Sequence, residues 1–259
     1  MKKTVKWKQI VLFLLLPIGL LTSCSEENLP KISRVIKQIE IWETGAKQSS
    51  LKATISLSYD SSGKLTKISG DDADGHPILD FNYTYPDSQS FLLTYATNQS
   101  SLGRISGTLE NGRVYSCKSA DSPSVIAYTY TQDGYLSRSN DQDLVMEYTW
   151  NNGRLISIKS SSRIYNAEYK ISTILNNYSI DLNTLPQLLE NSEYHRAMNT
   201  YCWLADMLGK RSKTIAEDDM YTYKYSFDEY GRINTAELSH VLNSTNLTYS
   251  FRFVYDEKE

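Results

Sequence analysis

The chain has 259 residues and a formal net charge of −3, and its 27 Lys and Arg residues are spread along the sequence. This dispersed charge argues against a nucleic-acid partner, because phosphate binding needs a basic patch. The length is sufficient to bury a core, and β-structures of this size often form one domain.

The N-terminus predicts a secretory signal peptide. Four lysines lie within MKKTVKWKQ, and an apolar stretch of about a dozen residues follows from Ile10 to Leu21. This stretch is too short for a transmembrane helix, which needs about 20 residues. We therefore predict that residues 1–23 are a lipoprotein signal peptide; an ordinary signal peptide followed by a chance cysteine is the alternative.

The signal peptide ends in Leu21-Thr22-Ser23-Cys24, which resembles a bacterial lipobox. The resemblance implies cleavage before Cys24, which then carries a thioether-linked diacylglycerol and an acylated amine, a durable anchor. Ser25-Glu26-Glu27 resembles the acidic export signal that sends Bacteroidetes lipoproteins to the outer face of the outer membrane. We predict a flexible tether at residues 24–33 and a single β-domain at residues 34–259.

Hairpin motifs recur along the rest of the chain. Related patterns occur as YDSSGKL at 59–65, YTQDGYL at 130–136, YTWNNGRL at 148–155 and FDEYGRI at 227–233. In each, an aromatic residue closes a strand, a Gly-containing turn reverses the chain, and the next strand begins. Asn-Gly suits a type I′ turn, whose two central residues both need positive φ.

Between the turns, apolar and polar residues alternate. Tyr221, Tyr223 and Tyr225, for example, are separated by Thr222 and Lys224. This pattern is typical of antiparallel strands with one wet face, and the 20 Tyr residues suit such strands. We predict a mainly all-β, antiparallel up-and-down meander of about 12–14 strands that forms a barrel or a strongly curved sheet.

Charged residues within the predicted strands argue against insertion of this meander into a membrane as a transmembrane barrel. They are Lys67, Glu147, Lys159 and Lys224.

One late segment has helical spacing. Leu185, Leu188 and Leu189 begin a three-and-four pattern that ends at Gly209, with Asn183 or Thr184 as the N-cap. The pattern predicts one amphipathic helix near 185–209. Such a helix would cover the sheet or close one end of a barrel, and a mobile lid over a ligand cavity is the alternative.

Two cysteines, Cys117 and Cys202, follow the lipobox. The oxidising cell envelope permits a disulfide, but pairing needs Cα atoms within about 7 Å. The interpretation as two buried thiols that act as small apolar side chains is favoured.

The hairpin motifs YDSSGKL and FDEYGRI distantly resemble the tyrosine-aspartate repeats of Rhs-type proteins, which also wind as long β-meanders. The whole layout has a lipobox, tandem hairpins, a late helix ending in LGKRSK and a final aromatic hairpin. It resembles an uncharacterised family of Bacteroidetes lipoproteins, a domain of unknown function with a porin-like β-barrel fold. The resemblance implies that fold and supplies no active site.

Residues for catalysis are sparse. The three histidines lack ligand spacing, and no Gly-x-Ser-x-Gly elbow marks a nucleophile. GDDADG at 70–75 has the alternating carboxylates of a calcium loop, but Gly70 and Phe81 stand where ligands are needed, so a polar turn is favoured. We predict no enzyme, no metal site and no cofactor; a hydrolase is the third interpretation.

Aromatic residues are the remaining candidates for ligand binding. We predict that Trp150, Trp203, Tyr128 and Tyr148 stack on sugars or line an apolar cavity, although such residues are more often core. The predicted protein is lipid-anchored at the outer membrane and faces the cell exterior. It binds a glycan, a lipid or other hydrophobic small molecule, or a peptide without catalysis. The second class is a structural component that docks to another envelope protein.

Overall fold

Sixteen β-strands supply almost all of the secondary structure in the part of the chain that the computed structural model describes. The described residues are 33–45, 48–97, 100–141, 144–161, 166–185, 202, 205–218, 221–240 and 247–257. The predicted signal peptide, Cys24 and Trp203 lie outside them. Within them, no helix has the length and apolar character required to cross a membrane.

The strands are β1 (Ile36–Thr44), β2 (Ser49–Tyr59), β3 (Leu65–Asp72), β4 (Pro77–Asp87), β5 (Ser90–Thr97), β6 (Ser100–Glu110), β7 (Arg113–Ser119), β8 (Val125–Tyr130), β9 (Leu136–Asn140), β10 (Val145–Asn151), β11 (Arg154–Ser160), β12 (Asn166–Leu175), β13 (Thr214–Asp218), β14 (Tyr221–Phe227), β15 (Ile233–His240) and β16 (Thr248–Tyr255). One short 3-10 helix spans Leu182–Thr184.

All sixteen strands belong to one antiparallel sheet, which confirms the predicted up-and-down meander. Each strand pairs with its neighbours in sequence except at the β13–β14 junction, and β1 also pairs with β16. The strand number exceeds the prediction partly because the turn at 45–48 was missed; there Gly45 N–H donates to Gln48 O over 3.0 Å.

The sheet is not closed into a barrel, which corrects that part of the prediction. Its hydrogen-bonded order runs from β13 through β1 to β14, so these two strands are the edges. Barrel closure requires the edge strands to pair, and β13 and β14 form no ladder with each other in the described residues.

The Asn-Gly turns have the predicted type I′ conformation. Asn111 and Gly112 have φ of 52° and 75°, and Asn152 and Gly153 have φ of 51° and 78°. Positive φ at both central positions matches the right-handed twist of the flanking strands. The hairpin reading of these motifs is therefore confirmed.

The Asp-x-x-Gly turns are held by the aspartate carboxylate. Asp60 Oδ1 accepts hydrogen bonds from the backbone N–H groups of Ser62 and Lys64 at 2.8 and 3.0 Å. Asp228 Oδ1 does the same for Tyr230 and Arg232 at 3.0 and 2.8 Å. A short acceptor at the first position thus satisfies the turn's own donors.

Many of the strands end in an aromatic residue that packs on the core and also makes a hydrogen bond to the backbone. Its polar atom donates to the backbone carbonyl at the start of the preceding strand, and we call this bond an aromatic latch. Among the described residues, five latches run from Tyr59 to Ile36 (3.0 Å), Tyr85 to Leu65 (3.2 Å), Tyr130 to Val114 (2.6 Å), Trp150 to Leu136 (2.5 Å) and Tyr255 to Ile233 (2.6 Å).

The latches all lie at one end of the sheet. This end, called the turn end, carries the hairpin turns that begin after β2, β4, β6, β8, β10 and β14. A turn joins each of these strands to the next one, and at β2, β4, β8 and β10 a latch also links the strand to the preceding one. The strand ends are therefore tied together across most of the turn end.

One face of the sheet forms the core, as the alternation predicted. The largest fully buried side chains include Tyr128, Phe81, Phe91 and Phe251. Phe91 lies over Gly107, its direct cross-strand partner, where a Cβ atom would come within 2.1 Å of the Phe91 ring. The absence of a side chain at Gly107 thus provides space for an aromatic ring in the core.

The predicted amphipathic helix near 185–209 is not supported at its described ends. Most of it, residues 186–201, 203 and 204, lies outside the described residues. At its start, the predicted cap positions Asn183 and Thr184 belong to the 3-10 helix Leu182–Thr184, whose N-cap is Asp181; the Asp181 side chain accepts from Asn183 N–H.

At the C-terminal end of the region predicted to be helical, the backbone is held against the sheet. Asp206 has φ of 58°, and Gly209 forms an antiparallel bridge with Tyr135 of the β8–β9 turn. These tertiary hydrogen bonds outweigh the local helical propensity that the spacing indicated. We call residues 176–213, which lead from β12 to β13, the connecting segment.

Replacement of Tyr255 by Phe tests the latches. Tyr255→Phe leaves the carbonyl of the buried Ile233 without this donor and should lower the free energy of unfolding by about 1–2 kcal/mol. Tyr115→Phe is the control, because Tyr115 is 53% exposed and should change stability little. Urea unfolding gives both values; equal stabilities of the two variants would contradict the role of the latch.

Candidate binding cleft at the turn end

The connecting segment crosses the turn end and bonds to successive hairpins. Three backbone hydrogen bonds of 2.9 Å attach it, from Val114 N to Met207 O, from Lys210 N to Gly134 O and from Lys213 N to Gly153 O. They reach the start of β7, the β8–β9 turn and the β10–β11 turn. The segment therefore has fixed partners along its course.

Arg211 holds the two described parts of the connecting segment together. Its Nε donates to Asp206 Oδ1 over 2.6 Å, and its two terminal nitrogens donate to the carbonyls of Tyr178 and Ser179, the latter at 3.0 Å. The planar guanidinium suits this convergent set of acceptors. Tyr178 in turn accepts from Ile233 N–H at 2.9 Å, which extends the contact to β15.

A buried carboxyl lies within the same segment. Asp181 Oδ1 accepts from Asn176 Nδ2 at 2.6 Å and from Asn183 N–H at 3.0 Å. Burial raises the pKa of Asp181 above its usual value, although these donors and the charge of Arg211 oppose the shift. Removal from water is the dominant effect, because it penalises the charged form of the carboxyl.

Two adjoining depressions lie between the connecting segment and the hairpin turns. Their volumes are about 480 and 460 Å³, and they share Gly112, Asp206 and Arg211. We call them together the turn-end cleft. Its other lining residues are Ser62, Gly63, Lys64, Leu65, Tyr85, Ser88, Leu109, Asn111, Arg113, Tyr135, Ser179, Ala205, Met207, Gly209 and Lys210.

The cleft lining is basic, although the whole chain is acidic. It contains four cationic residues and one carboxylate, Asp206, which is paired with Arg211. The other three cations are Lys64, Arg113 and Lys210, and none has a carboxylate within ion-pair distance among the described residues. The charges of the described lining residues therefore sum to +3, four cations against one carboxylate, and this positive charge attracts anions.

Each of these three cations lies over a tyrosine ring. The distances to the ring centroid are 4.8 Å for Lys64 on Tyr85, 5.6 Å for Arg113 on Tyr130 and 5.7 Å for Lys210 on Tyr135. Burial raises the pKa of Tyr85 to about 12, so its hydroxyl remains a neutral donor to Leu65 O. Cation–π attraction holds the charged groups without neutralising them.

The structure separates the residues predicted to bind a ligand. Trp150 packs against the cleft residue Tyr135 in a tilted arrangement, with ring centroids 4.8 Å apart and an interplanar angle of 32°, so it supports the cleft wall. Tyr128 and Tyr148 are buried in the core, where their hydroxyls lie 3.4 Å from Cys117 Sγ and Ser139 Oγ. Trp203 lies outside the described residues. Of the described three, only Trp150 reaches the cleft region.

Sequence reasoning missed the cationic residues of the cleft, although a local signal was present. Lys64 and Arg113 each follow directly after a turn glycine, and Arg154 and Arg232 do the same in other hairpins. A cation at this position lies where a strand begins, beside the turn. Lys210 follows Gly209 in the connecting segment and has the same relation to a residue with positive φ.

In the turn after β3, two carboxylates and one histidine lie close together. Asp72, Asp74 and His76 each offer one ligand atom, and these atoms lie within 4.8 Å of one another. However, Asp72 Oδ1 accepts from the N–H groups of Asp74 and His76, both at 2.9 Å. The N–H group of His76 lowers the pKa of Asp72 most strongly. These contacts are the ones that the other Asp-x-x-Gly turns make, so the polar-turn interpretation accounts for them.

Comparison with solved structures finds a porin-like protein from Bacteroides uniformis, with a TM-score of 0.60 and 17% sequence identity. The match covers 85% of this chain and 98% of that chain. At this identity, the likeness shows the fold, and it confirms a porin-like β-fold. No model of a known protein family matches the chain, and no curated protein matches it. The lipoprotein and Rhs-type resemblances remain predictions.

Asp181 provides a test of the buried polar group under the cleft. Asp181→Ala leaves the donors of Asn176 and Asn183 unpaired and should cost about 1–3 kcal/mol of unfolding free energy. Asp181→Asn keeps the accepting oxygen and removes the charge, so it should be at least as stable as the wild type at pH 7.

The stability difference between the wild type and Asp181→Asn should depend on pH in a defined direction. Because the pKa of Asp181 is raised in the folded state, its contribution to stability is fully present below the unfolded pKa of about 4 and is lost as pH rises through the folded pKa. The advantage of Asp181→Asn should therefore shrink as the pH falls. Urea unfolding between pH 7 and 4 measures it, and a constant difference would rule this explanation out.

Proposed function

We propose that this chain is a non-catalytic, lipid-anchored protein of the cell envelope that binds an acidic glycan in the turn-end cleft. The observation that carries the proposal is the placement of the cations Lys64, Arg113 and Lys210 over tyrosine rings in the cleft lining. The volume of each depression lies within the range common for small-ligand sites.

The lining favours an acidic glycan over a lipid. Charged groups on sugar carboxylates or sulfates pair well with Lys and Arg, and sugar faces pack on aromatic rings. The apolar lining residues Leu65, Leu109 and Met207 are buried and offer little surface to a hydrocarbon chain. A lipid tail would therefore gain little from entering the cleft.

The cleft lining also supports a binding role without catalysis. Its one described carboxylate, Asp206, is paired with Arg211 over 2.6 Å. A glycoside hydrolase usually needs a pair of carboxyl groups on either side of the scissile bond. The described cleft residues supply no such pair.

Location at the outer membrane is part of the proposal. The lipobox at Leu21-Thr22-Ser23-Cys24 supports a lipid anchor on Cys24, and Ser25-Glu26-Glu27 supports display at the cell exterior. The porin-like fold agrees with a protein of the outer membrane. In this setting the membrane is a partner through the N-terminal lipid, and the cleft is available to glycans.

A second candidate function is docking to another envelope protein. It is favoured by β14, which is an edge of the open sheet, and by Phe227 at its end, which is 50% exposed. A strand at the edge of a sheet can pair with a strand from a partner protein. If docking were the function, substitutions on β14 would abolish binding of the partner protein, and substitutions in the cleft would not.

Binding of sodium polygalacturonate to the full-length protein in detergent tests the proposed function. We expect isothermal titration calorimetry to show binding that weakens with salt, weaker binding of polyglutamate and no binding of the neutral polymer dextran. Lys210→Ala should weaken the affinity about ten-fold, because it removes one charge-assisted hydrogen bond.

Lys118→Ala is the matched control, since it removes one exposed cation from β7, which begins with the cleft residue Arg113. It should leave the affinity unchanged. Equal affinities for polygalacturonate and dextran, or equal losses in the two variants, would exclude the cleft as an acidic-glycan site. Stronger binding of polyglutamate would indicate an acidic peptide as the ligand.

A further inference from the structure

Two buried thiols lie in contact inside the core. Cys117 belongs to β7 and is 1% exposed, whereas Cys202 belongs to the connecting segment and is 2% exposed. Both are free thiols in the structure, they belong to the same core cluster, and each shifts the pKa of the other, so their side chains are neighbours. Burial of both cysteines agrees with the sequence-based expectation, but their contact could not be predicted.

Backbone hydrogen bonds place Cys202 beside β7 independently of the thiols. The carbonyl of Cys202 accepts from Met207 N–H at 2.9 Å, and the carbonyl of Met207 accepts from Val114 N–H at 2.9 Å. Val114 and Cys117 are three residues apart in β7, and a β-bulge between Val114 and Ser116 leaves both buried on the inward face. The approach of the two cysteines is therefore built into the attachment of the connecting segment.

The surroundings of the pair do not provide a metal site. A structural zinc ion needs four ligands, and within the described residues the only group of three or more potential ligands is Asp72, Asp74 and His76. The nearest polar partner is the Tyr128 hydroxyl, 3.4 Å from Cys117 Sγ. Phenol hydroxyls are rare ligands for zinc, so chemistry between the two thiols themselves is the better explanation.

We propose that Cys117 and Cys202 form a disulfide in the exported protein, which fastens the connecting segment covalently to β7. Such a bond would fix the wall of the turn-end cleft that Asp206, Met207 and Lys210 provide. The cysteines lie far apart in sequence, so the cross-link restricts the unfolded chain strongly. The proposal concerns the fold and does not depend on which ligand the cleft binds.

The oxidation proceeds by thiol–disulfide exchange with a disulfide-containing oxidant, such as an envelope oxidoreductase or oxidised glutathione. One cysteine thiolate attacks a sulfur of the oxidant, forms a mixed disulfide and displaces the first thiolate of the oxidant. The second cysteine loses its proton, attacks the mixed disulfide and displaces the other thiolate. Two protein thiols are thereby oxidised and one disulfide of the oxidant is reduced.

The two thiols affect each other's pKa in the folded chain. Proximity to Cys202 lowers the pKa of the Cys117 thiol, whereas proximity to Cys117 and burial raise the pKa of Cys202. Because both are almost fully buried in the folded chain, we expect the exchange to take place before the connecting segment docks.

Peptide mapping of the protein purified from the envelope of its host tests the proposal. The protein is unfolded in N-ethylmaleimide without reductant, digested and analysed by mass spectrometry. We expect a linked pair of peptides that contain Cys117 and Cys202, and labelling of both only after reduction. Labelling of both without reduction would overturn the proposal. The mass of the peptide that contains Cys24 shows separately whether this residue is lipidated, so a failure of the anchor proposal is distinguished from a failure of the disulfide proposal.

A second measurement uses the isolated full-length protein refolded with excess oxidised glutathione. The wild type should lose both labelling sites at Cys117 and Cys202, whereas Cys202→Ser should leave Cys117 labelled or glutathionylated. Amide hydrogen exchange in residues 205–213 should become several-fold faster when the wild-type disulfide is reduced. A wild type that remained a dithiol in this buffer would show that the thiols cannot bond.

Discussion

The arrangement of the turn end depends on hydrogen bonds from strand-closing aromatic residues to backbone carbonyls. Tyr59, Tyr85, Tyr130, Trp150 and Tyr255 each pack an aromatic body against the core and donate to the carbonyl that starts the preceding strand. A buried carbonyl without a donor is costly. The aromatic residue that closes β2, β4, β8, β10 and β16 therefore satisfies the backbone where the ladder ends, and it ties each of these strands to the preceding one.

The basic character of the cleft follows from the same turns. In the β2–β3 turn, hydrogen bonds from the Ser62 hydroxyl and then from Lys64 N–H lower the pKa of Asp60, so this carboxylate stabilises the turn. The Lys64 side chain is left to lie over Tyr85. Arg232 has the equivalent position in the β14–β15 turn, but it bonds Asp228 over 2.6 Å and is buried. The position after the turn glycine thus holds a cation that lines the cleft in the β2–β3 hairpin and a cation that stabilises the turn in the β14–β15 hairpin.

Local patterns predicted the local structure, and tertiary contacts decided the rest. Alternation and Asn-Gly turns identified the meander because strand and turn preferences act over a few residues. The spacing near 185–209 indicated a helix, but bonds from Lys210 and Lys213 to distant turns hold the end of that region against the sheet. Tyr128 and Tyr148 were predicted to bind a ligand because aromatic residues serve both cores and sites; their inward register places them in the core. The cleft joins residues far apart in sequence, so spacing alone could not reveal it.

The central claim is that the connecting segment is fixed across the latched turn end and forms one wall of the basic cleft. Amide hydrogen exchange of the peptides that cover residues 207–213, followed by mass spectrometry, tests it most directly. The hydrogen bonds of Lys210 and Lys213 to Gly134 and Gly153 predict protection comparable to that of the neighbouring strands β7, β9 and β11. Exchange as fast as in an unstructured peptide would contradict the claim.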